Sequence, residues 1–138
     1  MEQGSPQAFL GTGFKFPVQV DENTGRMAVV SYEEDIREAI RIILMTKKGE
    51  RLRNPDFGCG IHQYTFATLD YTTVSAMKRE VESALVQWEP RIQEIEIKVD
   101  TEQGEGLVLI EIGYVVRKTN NPFNLVFPFY MNEGFGGG

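Results

Sequence analysis

Leu85-Val86-Gln87-Trp88-Glu89-Pro90-Arg91-Ile92-Gln93-Glu94-Ile95-Glu96-Ile97-Lys98-Val99 changes its hydrophobic period at the proline. Upstream, Val74, Met77, Val81, Leu85 and Trp88 form one stripe at helical spacing, with Lys78, Arg79 and Glu82 directed elsewhere. This predicts a helix over Thr72–Trp88. Downstream, Ile95, Ile97 and Val99 alternate with Glu94, Glu96 and Lys98, the pattern of a strand with one wet face. Pro90 lacks an N–H and disfavours helical dihedrals at the residue before it, so the helix stops at Trp88 or Glu89. A carboxylate and a guanidinium then flank the proline. A helix end fixed in this way suits docking to a partner better than chemistry on a small substrate.

Beyond Val99, turn residues over Glu102–Gly106 lead to Leu107–Val116, which is apolar at both parities through Ile110, as in a central strand covered on both sides. A last strand over Asn124–Met131 contains Pro128, which confines it to a sheet edge. Before the helix, a short helix or turn is expected at His62–Leu69, preceded by an arginine-, proline- and glycine-rich loop over residues 50–60. Ile36, Ile40, Ile43 and Leu44 predict another helix, with Ser31-Tyr32-Glu33-Glu34 as its capping box and Glu33, Glu34 and Asp35 at the positive end of its dipole. Gly49 lies just past its end. The turn chemistry of Asp21–Gly25 joins an expected strand over Phe14–Val20 to a returning strand over Arg26–Val30. Strands grouped at both ends with helices between them give an α+β fold, a sheet from N- and C-terminal strands packed on two main helices. The expected organisation is a loose arm (1–12), one domain (13–131) and a glycine-rich tail (132–138).

The 138 residues, 41% hydrophobic, suffice for one domain with a sizeable core. A net charge of −6 argues against a general nucleic-acid partner. The charge is uneven: residues 37–53 hold six basic residues against two acidic ones, a local +4 that leaves −10 elsewhere. Such a stripe fits an acidic protein surface or internal pairing. The single cysteine, Cys59, excludes an intrachain disulfide and fits a reducing compartment. Met1-Glu2-Gln3-Gly4 has neither the basic nor the apolar region of a secretory signal, and no apolar run approaches the roughly 20 residues of a membrane span. Synthesis in the cytoplasm without membrane insertion is expected.

No motif supports a catalytic, cofactor or metal site. Cys59-Gly60-Ile61-His62 brings a thiol near an imidazole but lacks a third orienting group, and a lone cysteine with a lone histidine cannot complete a zinc site. The Gly11-Thr12-Gly13 and Gly58-Cys59-Gly60 runs lack the rest of either phosphate-binding fingerprint. A glycosidase needs two facing carboxyls, one in an apolar setting, and Glu89 beside Trp88 is the one carboxylate with such a neighbour. Three features bear instead on partners. Glu89 or Arg91 either pairs within the domain or meets another chain, and Arg51 and Arg53 either bond the orphan carbonyls of the preceding helix or do the same. The hydrophobic edge strand calls for cover by another chain, by strand addition.

Four blocks occur in order: Ile36–Thr46 into Gly49-Glu50-Arg51; Asn54-Pro55-Asp56-Phe57-Gly58; Ala84-Leu85 into Trp88-Glu89-Pro90-Arg91-Ile92; and Asn124-Leu125-Val126-Phe127-Pro128-Phe129-Tyr130. Over roughly 14–131 the chain resembles the baseplate-wedge or sheath-initiator family of contractile tails, the GPW-type proteins of phage tails and type VI secretion. The resemblance implies a structural protein present in about six copies per particle. It implies that Glu89, Pro90 and Arg91 contact the helical core bundle of the wedge. It also implies that the first ring of sheath subunits docks on the sheet by strand exchange, at an edge carrying Leu125, Val126, Phe127, Phe129 and Tyr130, with tube or hub proteins nearby. Arg51, Arg53, Asp56 and Phe57 match a family signature and form a candidate docking loop. Some members bear a lysozyme-like label, so peptidoglycan hydrolysis is the competing expectation.

Overall fold

Ile36, Ile40, Ile43 and Leu44 lie buried along one side of a helix, α1, spanning Glu22–Met45 in the computed structural model, which describes residues 22–131. The expected strand at Arg26–Val30 and the capping box at Ser31 are both overturned, because α1 runs through them. Extending a helix that is already anchored adds one hydrogen bond per residue, and valine disfavours helix by only a few tenths of a kcal/mol, so Val29 and Val30 follow the packed half. Glu33 is therefore not at a helix start. Its carboxylate accepts bonds from Thr119 Oγ1 (2.6 Å) and Asn121 Nδ2 (2.7 Å), tying α1 to the far end of the sheet. The expected strand over Phe14–Val20, the arm 1–12 and the tail 132–138 lie outside the described residues.

After a 3₁₀ turn at Gly60–Tyr64, helix α2 spans Tyr71–Trp88. Asp70 is its N-cap, with Oδ1 accepting from the Thr73 N–H at 2.8 Å. The expected stripe is present: Met77, Val81 and Leu85 are fully buried, with Val74 and Trp88 half-buried and Ala84 added to the buried set.

The other described elements are three antiparallel strands, β1 (Ile92–Asp100), β2 (Leu107–Val116) and β3 (Asn121–Tyr130), in spatial order β1-β2-β3. β2 is central, as expected, and Pro128 lies on an edge strand. The core face carries Val108, Ile110, Ile112, Tyr114 and Val116, opposite Phe129, Phe127 and Leu125 of β3 and Ile97 and Val99 of β1. Both helices pack there, α2 along β1 and α1 reaching β3. The outer face of β2 is only half-buried, so among the described residues the expected cover on both sides is found on one. Two helices and this sheet make one small α+β domain.

Candidate docking surface

Trp88 ends α2, and the Glu89 N–H makes the last helical bond, to the Leu85 carbonyl at 2.9 Å. Pro90 continues nothing, so the chain turns and Glu89 and Arg91 come face to face. The Glu89 carboxylate accepts from Arg91 Nε at 2.7 Å, from Arg91 Nη2 at 2.8 Å and from the Arg91 backbone N–H at 3.2 Å. Glu89 is 2% exposed while the Arg91 side chain is 38% exposed. The motif therefore presents one charge outward, the guanidinium, with the carboxylate used internally to hold it. Hydrogen bonding to Glu89 raises the Arg91 pKa above its ordinary value. Arg91 also lies 5.9 Å from the Tyr32 ring centroid, and burial pushes the Tyr32 hydroxyl pKa up.

A residue with no legible signal completes the arrangement. Arg117 donates its N–H to the Arg91 carbonyl (2.9 Å), Nε to the Pro90 carbonyl (2.9 Å) and Nη1 to Gln93 Oε1 (3.3 Å). The backbone of the motif is thus fastened to the end of β2. The β1 strand bulges between Gln93 and Glu96, with Glu94 at φ +53°, and a cleft of about 370 Å³ opens there beside Pro90, Val86, Ile95 and Arg117.

The Arg51–Gly58 loop adjoins this surface. Arg51 Cζ stands 4.3 Å over the Phe57 ring, and Phe57 meets Trp88 edge-on at 5.1 Å between centroids. Arg51, Arg53 and Asp56 are exposed and Phe57 is half-buried. The carbonyls at the end of α1 are taken by other groups: the Ile42 carbonyl by Thr46, the Leu44 carbonyl by His62 Nε2 (2.7 Å), the Thr46 carbonyl by the Cys59 N–H (2.9 Å). The single histidine thus acts as a helix cap. Cys59 is buried, with its thiol pKa pushed up to about 11 by desolvation, the opposite of an activated nucleophile.

The strand expected to meet the sheath divides by parity. Leu125, Phe127 and Phe129 point into the core, whereas Val126 (48%) and Tyr130 (67%) are exposed on the outer face. The first three anchor the strand in the core; the other two do not.

Among the described residues no cluster of His, Cys, Asp or Glu could hold a metal ion, and no helix is long and apolar enough to cross a membrane. Both oxygens of Glu89, the one buried carboxylate among the described residues, are engaged by Arg91, which is not the arrangement of a glycosidase acid.

Residues 30–121 match the profile of the family described as baseplate wedge protein gp25. The baseplate wedge protein gp25 of Enterobacteria phage T4 is 30% identical over 81 residues, 59% of this chain and 61% of that protein. The alignment thus spans less than two thirds of that relative. A Geobacter sulfurreducens protein of known crystal structure, provisionally named a tail lysozyme, is 51% identical, with a TM-score of 0.69 over 74% of this chain and 93% of its own. A chain of a type VI secretion baseplate complex shares the fold at 18% identity, with a TM-score of 0.57 over 80% of this chain and 98% of that one. The family match takes in the 51–58 loop and the Glu89–Arg91 element, and ends where β3 begins.

Proposed function

Because this chain belongs to the baseplate wedge protein gp25 family, we propose that it is a structural component of the baseplate of a contractile injection particle. Its Arg91 face, held by Glu89 behind Pro90, seats on the helical core bundle of the wedge. The β3 edge then serves as a template on which the first sheath ring continues the sheet by strand addition. About six copies around the particle axis would set the register of that ring. The observation that carries this reading is the buried Glu89–Arg91 clamp fastened by Arg117: it fixes an outward guanidinium in one direction, and charge-assisted bonds from such a group strengthen as docking excludes water.

The test is co-expression with the wedge and sheath proteins of the same particle. Val126→Lys places a charge on the exposed face of β3 and leaves the core untouched, so wedge assembly should persist while sheath polymerisation from the baseplate is lost. Sheath assembly at the wild-type level would rule out β3 as the template. Sugar release from purified peptidoglycan by the isolated chain would overturn the structural role itself.

A further inference from the structure

Leu52 is 98% exposed, the most exposed large hydrophobic residue among those described. A lone exposed leucine is ordinary. This one differs in being flanked by two exposed cations, Arg51 and Arg53, at the tip of a loop that is fixed on both sides. The Lys47 N–H donates to Glu50 Oε1 (2.9 Å), the Gly49 N–H to the Pro55 carbonyl (2.7 Å) and the Phe57 N–H to the Asn54 carbonyl (3.0 Å). Gly58, at φ +125°, packs its backbone against Thr46, and Lys47 forms a parallel bridge with Cys59. Arg51 lies over the Phe57 ring and Phe57 meets Trp88 edge-on, so the loop is in contact with the end of α2.

We propose that residues 50–58 are a preorganised docking finger, with Leu52 seating in an apolar notch bordered by carboxylates on the same wedge bundle that receives Arg91. This rests on the docking reading above. An ordered loop loses little conformational entropy on binding. A fully exposed leucine gains the full transfer free energy when a partner takes it out of water, and arginine is among the residues that dominate interface energetics. Arg51 and Arg53 on either side of Leu52, with Lys47 and Lys48 at the loop's base, outnumber Glu50 and Asp56 by two over residues 47–58, which favours an acidic partner surface.

The experiment measures affinity of the full chain for the co-expressed wedge proteins by titration. Leu52→Asp changes no packed side chain, so its melting temperature should match wild type. Its affinity should fall at least about tenfold, whereas Leu52→Met should stay within about threefold. If wild type binds and Leu52→Asp binds equally well, the finger is wrong and the docking reading stands. If wild type itself does not bind the wedge proteins, the docking reading falls and the finger with it.

Discussion

Replacing Arg91 by alanine should destabilise the free domain, independently of any partner. Glu89 is 2% exposed, and removal of Arg91 leaves its carboxylate with the residue-91 backbone N–H, at 3.2 Å, as the remaining donor of the present three. Breaking a buried ion pair from one side typically costs about 3–5 kcal/mol. Arg91 is itself 38% exposed, so water already screens part of the pair and can enter once the side chain is gone. The discounted loss is about 2–3 kcal/mol, a fall in Tm of roughly 6–15 °C for a chain of this size. Glu89→Gln keeps the shape and one acceptor, loses the charge assistance, and should cost only about 1 kcal/mol. The double variant removes the stranded charge, so it should be more stable than Arg91→Ala alone by about 1–2 kcal/mol. Equilibrium urea unfolding of the four proteins, with m-values compared to establish two-state behaviour, closes the cycle. Arg91→Ala within about 0.5 kcal/mol of wild type, or strict additivity of the two changes, would refute the clamp.

Two further outcomes follow from the loop and the 3₁₀ turn behind it. Burial lifts the Cys59 thiol from an ordinary 9.0 to about 11, so the unfolded chain loses this proton first; stability is full below pH 9 and falls as pH rises through about 11. The loss amounts to roughly 2–3 kcal/mol. Tyr32 and Tyr114, also raised by burial, contribute with the same sign, and Cys59→Ala isolates the thiol's share as a difference in slope; parallel slopes would contradict it. Gly58→Ala would set a Cβ 2.5 Å from the Thr46 carbonyl oxygen at φ +125°, whereas Gly49→Ala, at φ +89°, meets nothing within 4 Å. Thermal melts should show about 2–3 kcal/mol lost in the first and about 1 kcal/mol in the second, and equal losses would assign both to the dihedral alone.

The second half of the chain was legible because each signal there is local and undiluted. Met77, Val81 and Leu85 keep strict helical spacing, Pro90 breaks it, and Ile97 and Val99 restart at period two. The first half misled because Val29-Val30 and the Gly25 turn signal are weak preferences, each worth a kcal/mol or less, set against continuation of a helix anchored at Ile36–Leu44. At the candidate site the motif residues stand out, but their roles do not. Sequence places Glu89 and Arg91 two apart without showing that one is buried to hold the other. Arg117 comes from 26 residues downstream of Arg91, through the pairing of β1 with β2, and Tyr32 from a helix further away still. Such contacts belong to topology, which no local window contains. Leu52 is the converse case: an apolar residue between two arginines is visible in the sequence, and its near-complete exposure is not.

Under the proposed docking role, the clamp also accounts for the acidic companion beside Arg91. A free arginine side chain has about 2 kcal/mol of rotamer entropy to lose on binding. Bidentate bonding to Glu89 removes that freedom during folding, and Pro90, fixed by Arg117, sets the direction in which the fork points. Of the five guanidinium donors, the two that reach Glu89 are committed, leaving three for a partner carboxylate. The same geometry couples stability to assembly. Any partner that binds only the clamped form stabilises the domain by mass action, so wedge binding should raise the melting temperature of wild type. The Glu89→Gln protein, whose arginine is held less firmly, should then bind more weakly although its contact face carries the same Arg91. A Glu89→Gln affinity equal to wild type would mean that the partner orders Arg91 by itself and that the buried carboxylate serves the fold alone.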